Sequence, residues 1–282
     1  MRRQEVNGGM AQNDQVAELL DNCIFEVIPT KTALEKAASL PSGASVSVTA
    51  SPDKGMGATV ELAIQLAEQG FHVIPHLSAR GTKTGAELDS IVASLDNAGI
   101  NHVFVVGGDA TDPGDFPDAL SLLEALADTG HPFDRIGVTG YPEGHPTIPD
   151  DELMAALIAK LPHASYLATQ MCFDAAAIEK WIRTIRAERV ELPIWLGVPG
   201  AVGVAKLVTI GARIGVGQSL RYLRKNRRVM TNVVRGGATA TDDLVTKLGP
   251  GAADLGIAGL HVFTFNAVAD TADWWRTAHN IS

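Results

Sequence analysis

Eight short apolar runs recur along the chain: Cys23–Ile28, Ala44–Thr49, Phe71–His76, His102–Val106, Arg135–Thr139, Ser165–Gln170, Leu192–Gly197 and Gly259–Phe265. Runs of this length, bounded by Gly, Pro or Asp, read as strands. HVFVV is apolar throughout, as in a parallel strand covered on both faces. The stretches between the runs change period. SPDKGMG, with three breakers, reads as a loop; in Ala58–Gln69 after it, Val60, Leu62, Ala63, Ile64 and Leu66 mark a helical face, and Gly70 ends it. Helices are expected from Asn13 or Asp14 to Leu20, from Thr32 with Leu34, Ala37, Ala38 and Leu40 on it, and over Thr84–Asn97, Asp118–Asp128, Asp150–Lys160 and Asp174–Arg189. Val198 to Ala258 is too long for one connection and predicts two or three helices, near Val202–Ile210, Gln218–Lys225 and Asp242–Lys247. A last helix carries Trp274 and Trp275. Eight strands alternating with helices predict an α/β fold, a single (β/α)8 TIM barrel with parallel strands spanning residues 14–282, after a flexible lead-in at 1–13.

That architecture puts chemistry at the C-terminal ends of the strands, which here carry Glu26, Thr49, His76, Asp109, Tyr141, His145 and Gln170. Glu26 interrupts the apolar run IFEVIP, and an unpaired buried carboxylate costs several kcal/mol. It is either an interior carboxylate bonded to a basic or hydroxyl neighbour, or a general acid kept protonated by burial. In VVGGDA, Gly107 and Gly108 allow close backbone approach to a ligand; a turn with Asp109 capping a helix is the plainer alternative. GYPEGHP holds two rings, Tyr141 and His145, on a loop stiffened by Pro142 and Pro146. His76 reads equally as a satisfied core histidine.

The bulk properties narrow the class. Of 282 residues, 46% are apolar and 20% charged, as in a globular domain with a substantial core. A net charge of −9 argues against nucleic acid or a membrane surface as partner. The basic run Arg221, Arg224, Lys225, Arg227 and Arg228 is either a solvated face or a clamp for anions. Cys23 and Cys172 fit neither a disulfide framework nor a metal motif, so no metal is expected and a cytoplasmic setting is. No GxGxxG follows a strand.

Taken in order, IFEVIP, VSVT, PHLSA, GGD, GYPEGHP, TQMCFD and HVFTFN resemble the methylenetetrahydrofolate reductase family over residues 23–266. The resemblance implies reduction of 5,10-methylenetetrahydrofolate to 5-methyltetrahydrofolate. It makes Glu26 the acid that helps open the substrate's five-membered ring. Asp109 would contact and electrostatically tune the pterin, and Gln170 would hydrogen-bond it. Thr49, His76, Gly108, Tyr141 and His145 would surround the redox cofactor. Two departures stand out. Gly107 occupies a position where the family commonly has arginine. Flavin-dependent members carry an aspartate and a basic pair on the helix before strand six to hold FAD; this helix, DELMAALIAKLP, has only Lys160 as a base. The resemblance therefore points to a branch without FAD, in which NADH, or alternatively NADPH, passes hydride directly to the folate. Its partners are then small molecules, a folate and a nicotinamide. An FAD-dependent reductase and a non-catalytic folate-binding subunit are the alternatives.

Overall fold

The computed structural model describes residues 14–51, 54–203 and 238–279. Its strands are β1 (Cys23–Val27), β2 (Ser45–Val48), β3 (His72–Ser78), β4 (His102–Val106), β5 (Arg135–Gly140), β6 (Tyr166–Met171), β7 (Ile194–Pro199) and β8 (Ile257–Phe263). They pair in parallel, each with its sequence neighbour, and β8 closes on β1. The eight apolar runs all become strands, within two residues of the expected ends. The closed (β/α)8 barrel is thus the architecture that the pattern predicts.

The helices are α1 (14–21), α2 (Ala33–Ala37), α3 (Gly55–Glu68), α4 (Gly85–Asn97), α5 (Ala119–Thr129), α6 (Asp150–Lys160), α7 (Ala175–Ala187), α8 (Ala238–Leu248), α9 (Ala252–Leu255) and α10 (Val268–His279). Polar caps set several starts. Thr84 accepts from the Glu87 N–H, Asp174 from those of Ala176 and Ala177, and Asp118 forms a reciprocal capping box with Ser121. Three ends differ from the sequence reading, α8 beginning at Ala238, four residues before the expected Asp242. α2 stops at Ala37 instead of continuing to Leu40, and α3 begins at Gly55 instead of Ala58, with Met56 buried at 2% exposure. Burying Met56 extends the helix into a stretch whose glycines read as loop. The 1–13 lead-in, the helix near Gln218–Lys225, most of that near Val202–Ile210 and the 221–228 basic run lie outside the described residues.

Two apolar shells hold the barrel. The larger lies between strands and helices, with Val27, Leu66, Leu95, Leu126 and Ile185 among its buried members. The smaller fills the barrel itself: Ile24, Ile74, Phe104, Tyr166, Ala168 and Trp195. Large rings fit there because small residues face them. A Cβ on Gly137 would lie 2.2 Å from the Tyr166 ring and 2.5 Å from Phe104; one on Gly259 would lie 2.5 Å from Trp195 Nε1. The Arg135 guanidinium lies over both rings, 5.4 Å from the centroid of Tyr166 and 5.3 Å from that of Trp195. Trp195 donates from Nε1 to the Asn22 carbonyl at 3.0 Å. This floor fills the barrel below its C-terminal end, the mouth. Among the described residues, no helix is long and apolar enough to cross a membrane.

Gly137→Ala is expected to overpack the floor and lower unfolding stability by about 1–3 kcal/mol. Gly57→Ala, where an added Cβ meets nothing within 4 Å, should stabilise α3 by about 0.5–1 kcal/mol. Urea unfolding of both variants checks the contrast. His102, beside Arg135 in register, supplies a pH test. Burial first, then the Arg135 charge, lower its pKa from 6.5 to about 3. The unfolded chain then binds a proton that the folded chain refuses between those values, so stability is lost as pH falls below 6.5. The slope is at most about 1.4 kcal/mol per pH unit for one group. The melting temperature should drop less between pH 7 and pH 5 in His102→Gln than in wild type; equal drops would contradict this assignment.

Candidate functional site

Strand alternation puts a polar layer directly above the apolar floor. Ile24 belongs to the floor, so Glu26, two residues on, faces inward one step nearer the mouth. Ile74 places His76 in the same way, and Gly259 places His261. Ser47 is the register partner of Glu26 on β2. All four are buried; Glu26 is 8% exposed and His261 2%. Glu26 Oε2 lies 3.0 Å from His261 Nε2 and 3.9 Å from His76 Nε2. The His76 ring leans on Phe104 at 4.8 Å between centroids. Burial lowers the His76 pKa to about 4, with the Glu26 charge opposing and His261 reinforcing the shift, so this imidazole is neutral at pH 7.

Backbone contacts fix the Glu26 strand where β8 meets β1. Thr264 donates from Oγ1 to the Glu26 carbonyl at 2.6 Å. Asn266 continues the ladder with its side chain: Oδ1 accepts from the Ile28 N–H and Nδ2 donates to the Ile28 carbonyl, both at 2.9 Å. Asn266 has φ 59°, a left-handed conformation that asparagine tolerates well.

The remaining expected residues stand around the rim. Thr49 follows β2, and its carbonyl accepts from Thr59 Oγ1 at 3.0 Å. Gly108 has φ 83°, and a Cβ there would fall 2.1 Å from Ser78 Oγ, so this turn requires glycine. Asp109 is exposed and makes no side-chain hydrogen bond among the described residues. Tyr141 and His145 meet edge to face at 5.5 Å. Gln170 donates from Nε2 to the Gly144 carbonyl at 3.1 Å, which leaves its amide oxygen as an available acceptor. Glu143 Oε1 accepts from the Phe173 and Asp174 N–H groups at 3.3 and 3.4 Å, pinning the GYPEGHP loop to the start of α7. The structure thus joins Glu26 with His76, Tyr141 with His145, and Gln170 with the β5 loop. Asp109 joins none of these contacts. His76, expected beside a cofactor, lies in the buried layer, 6% exposed and facing Glu26.

An open cleft of about 1040 Å³ runs outward from Gly107, Gly140 and Tyr141 between α5, α6 and α7. Asp118, Glu143, Asp150, Asp151, Asp174 and Glu188 line it against Lys160 and Lys180. Lys160 is 7% exposed, and burial lowers its pKa despite the opposing Asp118 charge.

The sequence reading missed three of these polar groups. His261 lies inside HVFTFN, whose period-2 alternation and inward-facing Gly259 mark it as interior. Ser47 carries the same alternation signal on β2. Arg80 follows β3; its N–H donates to the Gly107 carbonyl at 2.9 Å, and its Nε is buried without a partner. Only the pairing of β3 with β4 brings it beside Gly107.

A closed parallel barrel, with a buried acid–imidazole pair under its C-terminal mouth and a cleft beside it, has the form of a TIM-barrel enzyme. Residues 29–272 match the family model described as Methylenetetrahydrofolate reductase. The chain belongs to the methylenetetrahydrofolate reductase family. Methylenetetrahydrofolate reductase 1 of Schizosaccharomyces pombe is 27% identical over 132 residues, a match that takes in 44% of this chain and 22% of that protein's length. Among solved structures, a Clostridium thermocellum protein that binds two copies of 5-methyl-5,6,7,8-tetrahydrofolic acid is similar at TM-score 0.68 and 12% identity, covering 92% of this chain and 96% of that one. A chitinase from Rhizomucor miehei shares the fold at TM-score 0.50 and 13% identity, covering 92% and 99%.

Proposed function

We propose that this chain reduces 5,10-methylenetetrahydrofolate to 5-methyltetrahydrofolate, with NADH as direct hydride donor and NADPH as the alternative. The observation that carries the reading is the buried Glu26–His261 pair below the mouth. Opening the substrate's methylene-bridged ring requires a proton on the departing ring nitrogen. Glu26 is the only carboxyl of the polar layer among the described residues and delivers that proton. His261, 3.0 Å away, orients the carboxyl. Ring opening leaves an iminium whose carbon accepts hydride from nicotinamide C4. One proton and one hydride are consumed, NAD⁺ is released, and solvent reprotonates Glu26 through the mouth. Asp109 and the free amide oxygen of Gln170 meet the pterin at the rim. Thr49, Gly108, Tyr141 and His145 bound the face over which the nicotinamide lies. Holding both reactants in one water-poor mouth supplies orientation in place of a further redox carrier.

The cleft lining supports a reaction without FAD. A flavin dinucleotide presents a diphosphate carrying about two negative charges, and charge-assisted partners are worth roughly 1.5–3 kcal/mol each. Six acids and two lysines face that cleft, one lysine buried beside Asp118. This donor set does not fit a diphosphate. Arg80, beside the Gly107 turn, supports the donor's phosphates being met on the β3 side instead.

Glu26→Gln keeps shape but removes the transferable proton, so kcat should fall about 10²–10⁴-fold with the fold and pterin binding retained. Wild-type kcat in this variant would exclude Glu26 as the acid. The purified protein should be colourless and should oxidise NADH when methylenetetrahydrofolate is added. Direct transfer needs both substrates bound together, so initial-rate plots should intersect. Stoichiometric FAD, or the parallel lines of a ping-pong enzyme, would contradict transfer without flavin.

A further inference from the structure

We propose that Glu26, His76 and His261 form a binding site for a divalent transition ion of the zinc class, and that the bound ion blocks turnover. The blocking half rests on Glu26 being the acid; the binding half does not.

One carboxylate and two imidazoles are a ligand set for zinc or cobalt, with a fourth position left open. Their ligating atoms all lie within 4.8 Å of one another, and the two contacts to Glu26 Oε2 are 3.0 and 3.9 Å. Bonds of about 2.0–2.2 Å hold neighbouring ligands roughly 3–3.5 Å apart, so small side-chain rotations complete the set. Magnesium and calcium prefer all-oxygen surroundings and are poorly matched.

A second observation points independently to a missing ligand. Among the described residues, five buried side-chain atoms lack hydrogen-bond partners: Ser47 Oγ, His76 Nε2, Arg80 Nε, His102 Nε2 and His261 Nδ1. Three of the five belong to this one layer, and His76 Nε2 is itself one of the ligating atoms. Buried polar atoms in folded proteins are almost always satisfied, so a cluster of orphans implies an ion or water that completes them. An ion would enter from the mouth side of the apolar floor, the side from which the folate would approach Glu26. Once bound, it takes the Glu26 oxygen that would carry the proton.

The test uses the full chain stripped with chelator and titrated with Co²⁺, read by visible absorption and by metal content per chain. The expected result is one equivalent of cobalt with the intense bands of four-coordinate geometry, displaced by zinc. His76→Asn and His261→Asn should weaken binding by more than about tenfold, since even loss of an outer-shell partner has effects of that size. His145→Asn, at the rim, should leave binding unchanged. Circular dichroism verifies folding, and Glu26→Gln removes the anionic ligand while keeping its shape, should either histidine variant unfold. Weak six-coordinate spectra, or binding that survives all three ligand substitutions, would overturn the site. Turnover should fall in step with zinc occupancy. Cobalt bound through the triad with turnover intact would overturn the blocking claim and Glu26 as acid, with the site standing. Absence of binding with normal turnover would leave the acid reading intact and sink the metal site.

Discussion

A carboxyl group enclosed by a closed ring of strands has to find its partner inside that ring. Glu26 is 8% exposed, and removing a carboxylate from water without compensation costs several kcal/mol. His261 supplies the compensation across the β1–β8 seam, with His76 a little farther off on β3. The rest of the barrel serves this contact. Glycines 137 and 259 admit the large rings of the floor. The floor lifts the polar layer toward the mouth. Thr264 and Asn266 fasten the backbone at Glu26 and at Ile28 just beyond it, so seam closure and side-chain pairing depend on one another.

Much of this was legible in the order of residues. Strand alternation and the long apolar runs identify the barrel because every strand is buried on its outer face and most on both. Thr84, Asp118 and Asp174 mark helix starts since a side-chain oxygen at that place satisfies N–H groups that the helix leaves free. Glu26 stood out because a charge inside IFEVIP needs an explanation. Its partner did not stand out. His261 is 235 residues away, and the pair exists only because β8 closes on β1. The three-residue cluster draws one ligand from each of three strands, so no local spacing announces it. Gly55 to Gly57 read as loop because glycines weaken helix propensity, yet burial of Met56 outweighs that preference.

The two sides of the mouth differ in electrostatic character. On the α5–α7 side, acids outnumber lysines, and the one buried lysine has lost part of its hold on its proton. On the β3 side, Arg80 carries a charge whose Nε has no buried partner. Gly107 follows β4 on this side, and the backbone N–H of Arg80 donates to its carbonyl. Under the proposed reaction, that difference between the two sides would set which anionic ligand is favoured without involving the acid layer beneath. That separation, with proton chemistry deep in the barrel and donor recognition at the rim, would let hydride come from a nicotinamide without changing how the folate ring is opened.

Isotope transfer tests this account most directly. NADH carrying deuterium at the transferring C4 position would be mixed with the protein and methylenetetrahydrofolate for a single turnover, and the product methyl group analysed by mass spectrometry. Direct transfer predicts one deuterium in the methyl group, undiminished in ordinary water. A methyl group whose label has been lost to solvent would show that the hydride paused on an exchangeable carrier, and would contradict a reaction in which donor and folate meet above Glu26.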